Sequence, residues 1–585
     1  MIRLHNIDTY PYIVSFGDCG AIMRFAGEIS AAGHMRAIAL LQTYAEHMPD
    51  GVLDIIPGYV SLGVYFNPQK ISFEAIAEDM LRRADTLIYN KHLPRRAVTI
   101  SVHYGGRAGP DLAALAESAH ISVEQAVELH ANRDYTVYFL GFIAGFPYLG
   151  EVDPKIRAPR RSTPRKHIPR GSVGIAEAQT GIYSVNSPGG WNIIGATSAD
   201  VFNPFRNAPF LLLPGDTARF TIAAIDADID INTDFSITTA TPAEQRRWVA
   251  PDGAVACAMV IHSGSQTCAQ GASRHNVGLF GISRGGAADF FSLRAGNLAL
   301  GNPPDACALE FAGMGPELKF LQAIQIIVTG AAETMTIDGY TLPAGRSVTM
   351  RAGQVLRAGE TTHGARGYIC FAGGIAGEDI LGADSTDIRG GFGGIAGRYL
   401  RAGDILSVWQ TTKQTVDALT RIKTPNHNQL LRVLPGPDFA AHNQLVQALK
   451  KQTFVVTQRS DRMGISLESV GLPLPEDLIP LGIISEMTLP GALQIPPDGK
   501  PMLLGADCQT TGGYCIPLAV ISADIWRIGQ LCPGMTVQFA LVSRAESADA
   551  LRQMRLAEQV YAVEVYDTSQ LFCGFLEGDL HEETF

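Results

Sequence analysis

No two of the nine cysteines (Cys19, Cys257, Cys268, Cys307, Cys370, Cys508, Cys515, Cys532 and Cys573) stand in a Cys-x-x-Cys pair. Scattered, odd in number and unpaired by spacing, they argue against a structural zinc site and for reduced thiols in a cytoplasmic protein. No apolar run reaches the roughly 18–20 residues of a membrane helix, and the first residues, MIRLHNIDTYPYIVSFGD, lack a charged-then-apolar signal region. The expectation is a cytoplasmic chain with no membrane partner. Basic charge is also short: 46 Lys+Arg against 57 Asp+Glu give a net charge of −11, which excludes bulk nucleic-acid binding. Several catalytic signatures are missing as well. There is no Gly-x4-Gly-Lys-Ser/Thr loop, the nearest piece being Asp498-Gly499-Lys500-Pro501; there is no His-Glu-x-x-His and no Gly-x-Ser-x-Gly. Met-Lys-Met is absent, which removes a covalent biotin site. The fourteen histidines do not cluster at metal spacing, so no metal ligands are assigned, and His103 and His130 read as ordinary strand and helix-end residues.

What the chain has in quantity is glycine (61) and proline (33), the punctuation of strands joined by turns. At 585 residues it is too long for one core, and two to four domains are expected. Residues 1–95 alternate strand-like segments (IVSFGD, AIMRFAG, LGVYFNP) with helical spacing near 29–48 and 71–88, which predicts a small α/β unit. The strand AVTISVHYG and the helical ISVEQAVELHAN open a second, β-rich unit running to about 240. TPAEQRRWVAPDGA (241–254) breaks the hydrophobic pattern and marks the best boundary. A short echo, LLPGDTARF (212–220), LRAGDILSV (400–408) and LCPGMTVQF (531–539), places a turn glycine before a final strand three times. That form predicts three barrel-like units: 96–240, 255–410 and 411–545. The segment 546–585 reads as a helix and strand appended to the last barrel, with a frayed acidic end.

The densest chemistry lies in 136–195. Arg157, Arg160, Arg161, Arg165, Lys166 and Arg170, with His167, form a basic stretch, and Gln179, Thr180, Tyr183, Asn186 and Ser187 lead into Gly189-Gly190-Trp191. The second half holds its own polar glycine blocks. They are Gly281–Asp289, Gly301-Asn302, Ser385-Thr386 with Arg389-Gly390-Gly391, Ser460-Asp461-Arg462-Met463-Gly464, Gly491–Gly499 with Gln494 and Asp498, and Gln509-Thr510-Thr511-Gly512-Gly513-Tyr514. The last block echoes Gln179-Thr180-Gly181-Ile182-Tyr183, which suggests paired barrels facing one cleft. Glycine turns expose N–H groups that cradle anions, and nearby arginines supply charge. For any one block the plainer reading is a hairpin turn, with Asp461-Arg462 a surface ion pair.

GFIAGFPYLG with PRRSTPRKHIPRGSVGIAEAQTGIYSVNSPGGWNIIG closely resembles the family of allophanate hydrolase subunit 1, the Kip inhibitor type, also known as the B subunit of 5-oxoprolinase. GLFGISRGGAADFFSLRAGNLALGNPPDACALEF, FAGGIAGEDILGADSTDIRGGFGG, SDRMGISLE and GALQIPPDGKPMLLGADCQTTGGY resemble allophanate hydrolase subunit 2, the Kip antagonist type or C subunit of 5-oxoprolinase. The resemblance covers about 1–240 and 255–545. It implies an α+β, mainly β fold: a small α/β domain followed by cyclophilin-like β-barrels, one in the first half and two in the second. It further implies fused B and C subunits that use ATP with Mg²⁺ to phosphorylate the lactam of 5-oxoproline, which a separate partner resembling the 5-oxoprolinase A subunit then opens to glutamate. On that reading the catalytic candidates are Arg160, Arg165, Gln179, Thr180, Tyr183, Asp461, Arg462, Gln509 and Thr510. Ser187, Gly189, Gly190, Trp191, Gln494, Asp498, Gly512, Gly513 and Tyr514 are the substrate- or nucleotide-binding candidates.

The chain departs from the family pattern at Ala144, Glu151, Ala196, Gly271 and Ser273, and Cys508 and Cys515 flank the last block. These changes leave an altered substrate or lost catalysis open. Two other readings follow from the resemblance. One is a carboxyltransferase module like that of urea carboxylase, which would need its biotin carrier in trans. The other is a regulatory binding protein of the Kip type. The sequence leaves the exact amide or lactam and homo-oligomerisation open.

Overall fold

The computed structural model describes residues 10–87, 96–226, 246–411 and 428–561. The expected terminal strand and acidic end, and Cys573, lie outside the described residues.

The N-terminal unit is a four-stranded antiparallel sheet (Tyr12–Phe16, Gly20–Arg24, Ser61–Phe66, Val52–Pro57 in spatial order) with two helices, Ala31–Glu46 and Phe73–Thr86. Both helices start where a serine can accept from the first turn: Ser30 Oγ from Gly33 N–H and Ser72 Oγ from Ala75 N–H, each at 3.2 Å. The second helix buries Phe73, Ile76, Ala77, Met80 and Ala84, an i, i+3, i+4, i+7 stripe that packs with Leu40, Leu41 and Tyr44 of the first. The strand Val52–Pro57 went unseen in the sequence because its apolar residues do not alternate with polar ones.

Residues 97–225 close a seven-stranded barrel, and so do residues 428–541. The first ring is built from Ala97–Tyr104, Asp134–Leu140, Pro147–Gly150, Ser172–Ala176, Gln179–Ile182, Asn192–Ala196 and Thr217–Ile225. The other is built from Asn428–Pro435, Phe454–Ser460, Gly464–Ser469, Ala492–Ile495, Met502–Leu504, Cys515–Val520 and Thr536–Leu541. Counted along the chain, both rings close in one order: first, sixth, fourth, fifth, third, second, seventh. In each, the first and last strands pair in parallel, from Ala97↔Thr217 to Tyr104↔Ile225 and from Asn428↔Thr536 to Val433↔Leu541. Each ring also carries a two-stranded ribbon inserted at the same two points of its order. In one it is Arg165–Ile168 with Ser187–Gly189; in the other, Glu486–Met487 with Thr511–Gly512. The two barrels are copies of one topology.

The middle unit differs. Its strands form an open six-stranded and an open five-stranded sheet that share one core, with Val260, Leu318 and Leu406 from one and Phe311, Val328 and Ile369 from the other. The helix Phe290–Ala299 packs on the second sheet, against the strands Ile324–Gly330 and Gly367–Phe371. The three echoed turn glycines, Gly215, Gly403 and Gly534, all take φ near +90° and all precede the final strand of their unit. An added Cβ on Gly403 or Gly534 meets nothing within 4 Å, so backbone conformation alone selects glycine there.

The two halves of the chain interlock through buried polar contacts. Asp54, fully buried, accepts from the N–H groups of Gly278 (2.9 Å) and Val277. Asp18 accepts from Ser522 N–H (3.0 Å) and from the Ser547 hydroxyl (2.6 Å). Arg24 donates to both Glu486 and Asp438. Around these, Phe16, Ile22 and Ile56 pack with Met487, Leu489 and Leu504.

Candidate functional site

The interlock brings the two copied barrels face to face across a cleft of about 1120 Å³, floored by the N-terminal sheet. The first barrel contributes Phe142, Tyr148, Arg160, Gln179 and Trp191, and the other barrel Gln509, Thr511, Gly512, Gly513 and Tyr514. The floor is Tyr12, Arg24 and Tyr59. Topology corrects the sequence echo. The counterpart of Thr510-Thr511-Gly512-Gly513-Tyr514 is Ser187-Pro188-Gly189-Gly190-Trp191, the same ribbon in the other ring, and not Gln179–Tyr183.

The first barrel's wall is aromatic. Tyr148 stacks on Phe139 (4.5 Å between centroids) and meets Trp191 edge-on at 5.7 Å, while Tyr59 stands edge-on to Phe139 and Tyr138. Burial pushes the Tyr148 hydroxyl up to about 12 and that of Tyr59 well above its ordinary value, so both stay neutral donors. Above this wall Arg160 is exposed and, among the described residues, makes no ion pair. From the second half Arg389 reaches the cleft with its guanidinium on the Met463 sulfur, and it too has no carboxylate partner among the described residues.

The opposite side is acidic. Arg24 donates Nε to Glu486 Oε2 at 2.8 Å and Nη2 to Asp438 Oδ1 at 2.8 Å. Two carboxylates on one guanidinium leave one negative charge. Burial raises the Glu486 carboxyl above its ordinary value against the pull of Arg24. The cleft is therefore polar from end to end: free arginines on one side, an acid-rich pair on the other, rings between.

Glycine opens this wall to amide side chains. Gln494 is 1% exposed; its Oε1 accepts from Gln509 Nε2 at 3.3 Å, and its own Nε2 has no partner among the described residues. A Cβ on Gly512 would sit 2.7 Å from that Nε2, so only glycine lets it face the cleft. Across the cleft Gln179 is buried with its Oε1 unpartnered, packed where Gly150 has no side chain. Unmet amide groups of this kind cost about 1–3 kcal/mol each unless a ligand satisfies them.

Of the sequence candidates, Arg160, Gln179, Trp191, Gln509, Gly512, Gly513 and Tyr514 line the cleft and Gln494 lies directly behind it. The others do different work. Arg165 holds Asp111 in a bidentate pair (2.7 and 2.8 Å), which Arg161 joins at 2.8 Å. Burial alone would raise the Asp111 carboxyl, but the Arg165 bonds and the Ile193 N–H bring it below its usual range. Arg157 pairs with Glu151 and Arg170 with Asp200, so the basic stretch is largely neutralised structure. Thr180 lies inside the barrel, donating to the Gly174 carbonyl and meeting His130 Nε2 at 2.9 Å. His130, stacked on Phe220, is a core residue held neutral by burial. Tyr183 is buried beneath Gly189. Ser187 and Gly189 form the ribbon strand, and Gly190 accepts from Arg161 N–H. Thr510 is buried away from the cleft, and Asp498 caps an exposed turn through Lys500 N–H. Asp461 and Arg462 do not pair with each other: Asp461 caps its own loop, while buried Arg462 binds Glu310 and Asp507.

The surroundings of four departures are defined, and those of Gly271 and Ser273 account for the residue present, while nothing in the structure explains Ala144 or Ala196. The Ala144 carbonyl accepts from Ser184, Ala196 pairs with His103 in the barrel, and Ser273 donates to the Gly285 carbonyl. A Cβ on Gly271 would meet Asp384 Oδ1 and the Asp305 carbonyl at 3.0 Å, so a carboxylate there has no room. Arg24, Tyr59, Asp438 and Glu486 were not anticipated, because they sit in regular strands or loops with no local pattern.

The family described as "Carboxyltransferase domain, subdomain C and D" matches residues 11–212, and "Carboxyltransferase domain, subdomain A and B" matches 280–541. The first half is 41% identical over 221 residues to the B subunit of 5-oxoprolinase from Bacillus subtilis, covering 36% of this chain and 91% of that protein. The second is 35% identical over 290 residues to the C subunit of 5-oxoprolinase from Haemophilus influenzae, covering 49% and 92%. The chain belongs to this carboxyltransferase-domain family. It joins in one polypeptide the counterparts of two 5-oxoprolinase subunits. The solved structure of TTHA0988 superposes with a TM-score of 0.78 at 33% identity, covering 89% of this chain and 100% of that one. The cleft is built where subdomains from the two matches meet, since all but the last strand of the first barrel falls in one and the other barrel in the second.

Proposed function

We propose that the chain acts as the fused B and C part of an ATP-dependent 5-oxoprolinase and that its facing-barrel cleft is where the lactam is activated. The observation that carries this reading is the convergence of Arg160, Arg389, Gln179, Gln494 and the Gly512-Gly513 turn on one cavity, with aromatic rings between them. The residues present fit a polyanion beside a small planar ring. Two unpaired guanidiniums and an open glycine backbone suit phosphate oxygens, and neutral Tyr59 and Tyr148 suit an uncharged amide. Among the described residues no group of three or more acidic, histidine or cysteine side chains could hold a metal, so Mg²⁺ would enter on the phosphates and not on a protein cage. ATP, when bound, would supply the phosphoryl group that, on the lactam oxygen, makes the carbonyl carbon electrophilic enough for water to attack and the C–N bond to break. This chain's own residues orient the lactam, and Arg160 and Arg389 offset negative charge on the transferring group. The acidic Arg24–Glu486–Asp438 side of the cleft disfavours the anionic end of the ligand there. Ring opening belongs to a partner protein of the 5-oxoprolinase A type.

The test is ADP release by the purified chain with and without 5-oxoproline and an A-type partner protein. Lactam-dependent ADP, with glutamate formed only when the partner is added, supports the reading; no lactam-dependent ADP under any condition overturns it. A second reading, carboxyl transfer to an amide nitrogen, draws support from the name of the matching family. Binding of a biotinylated carrier protein in place of ATP turnover would favour it.

A further inference from the structure

Three glycine-rich blocks of the second half, Gln270–Arg274, Gly281–Asp289 and Ser460–Gly464, contribute almost nothing to the cleft. They converge instead on the far side of its wall, around a separate cavity of about 650 Å³. Between the two lies a chamber of about 30 Å³ lined by Ser283, Asp387, Asp507, Cys508 and Gln509. One short segment separates front from rear: Met463 lines the cleft and Arg462 the rear cavity.

The rear cavity is bordered by a buried chain of charges. Arg462 donates to Asp507 (2.7 and 2.8 Å), to Glu310 (2.5 Å) and to the Gly286 carbonyl (2.6 Å). Glu310 also accepts from the Tyr368 hydroxyl at 2.7 Å and Ala288 N–H at 2.9 Å, so its oxygens are well supplied. That leaves Arg366 short of a partner. Its side chain is 11% exposed, its nearest carboxylate is the same Glu310 at 3.8 Å, and its Nε has no hydrogen-bond acceptor among the described residues. A second donor is in the same condition. Arg274 is fully buried; its Nε and Nη2 bond the Ile380 and Ser385 carbonyls, while Nη1 has no acceptor among the described residues. Nη1 is aimed at Gly285, a residue of the cavity wall. A Cβ built on Gly285 would stand 3.4 Å from Arg274 Nη1 and 3.6 Å from Asp507 Oδ1. Arg284, stacked on the Tyr65 ring at 4.3 Å, is also on the wall, as are Arg294 and Arg555. The rest of the lining is mixed, with Tyr65, Phe66, Phe290, Leu504 and Ile528 forming its apolar part and Asn67, Gln69, His275 and Arg294 among its polar side chains.

One guanidinium on the wall and a second directly behind the wall glycine Gly285, each with an unmet donor and with rings and aliphatics nearby, describe a receptor for a charged head on a partly apolar body. We propose that the rear cavity is a second binding site, for a small organic oxyanion, with Arg274 and Arg366 as donors to its charged end. Asp305 and Asp461 also line the cavity, and the Asp507 carboxylate beside Gly285 is already held by Arg462. The site stands apart from lactam activation and does not depend on it.

The test uses the full chain with the cleft silenced by Arg160→Ala and Arg389→Ala, titrated calorimetrically with phenyl phosphate, benzoate and neutral benzamide. The expected result is one retained site that binds at least one of the two anions about tenfold or more tighter than benzamide. The order of the two anions identifies the phosphate or carboxylate head. Arg366→Met, which removes the long contact to Glu310 but no side-chain hydrogen bond among the described residues, and Gly285→Ala, which caps Arg274 Nη1 with a methyl, should each weaken that site about tenfold in the silenced background. Circular dichroism and the thermal midpoint establish that each variant is folded, and either folded variant suffices. No preference for the anions over benzamide in the silenced protein overturns the proposal, as does an affinity that the folded variants leave untouched.

Discussion

Arg160 and Arg165 stand five positions apart in one basic stretch and end in opposite circumstances. Arg160 is exposed at the cleft; Arg165 is locked on Asp111. The two alanine variants should therefore separate cleanly. Arg160→Ala should lower lactam-dependent ADP formation about 10–100-fold with little change in thermal midpoint. Arg165→Ala should instead destabilise by about 1–3 kcal/mol, because Asp111, 7% exposed, loses its bidentate partner; denaturant titration reads the difference. The contrast also marks how much of the site was legible. The sequence announced where cations are dense, and the glycine pair announced where backbone would be open. Which cation is already spent depends on Asp111, far away in the chain, and no local spacing records that. Gln494 was legible as a polar residue in a glycine block. Its unmet Nε2 came from Gly512 across the barrel.

Helices and turns were the most readable elements, since their signals are local. Ser72 followed by an apolar stripe specified the helix Phe73–Thr86, and Ser72→Ala should cost about 1 kcal/mol of stability, measured by urea denaturation. The glycine echo predicted three final strands and found three. At Gly403 and Gly534 an added methyl touches nothing, so Gly→Ala should cost about 1 kcal/mol through backbone strain alone. Gly512→Val is a different experiment. It places atoms against Gln494 Nε2 in the cleft wall and should suppress lactam-dependent ADP release more than it lowers the thermal midpoint. Strand pairing was the least readable level. The Gln-Thr echo matched residue types across two different strands, while the true repeat, Ser-Pro-Gly-Gly-Trp against Thr-Thr-Gly-Gly-Tyr, shows only once both rings are traced. The middle unit looked like a third barrel because its last strand is announced in the same way, yet its sheets remain open.

Buried acids, one of which joins the two halves, set a pH dependence of the whole molecule. Burial raises the carboxyls of Asp54, Asp289 and Asp384 to about 6 in the folded protein, above the ~3.9 of an unfolded chain. The native state thus binds more protons than the unfolded state between about pH 4 and 6. From these three groups stability is greatest below pH 4 and declines as pH rises through 6, against the opposite trend of Asp111 and Glu310, whose carboxyls are held low. Asp54→Ala should flatten part of that decline. At pH 7 it should also cost about 1–3 kcal/mol, because the N–H groups of Val277 and Gly278 lose their acceptor. Thermal midpoints across pH 4–8 for both proteins check the sign. The closing strands of the rings have a mechanical consequence. A parallel pair of first and last strands lets the chain enter a ring at one rim and leave at the opposite one. A pull on the two ends then loads every rung from Ala97↔Thr217 to Tyr104↔Ile225 at once, in shear. Hairpin strands unzip one rung at a time under the same tension. Each barrel is thus a stiff link in series with the chain, and an unfolding machine gripping either end must break the whole ladder together.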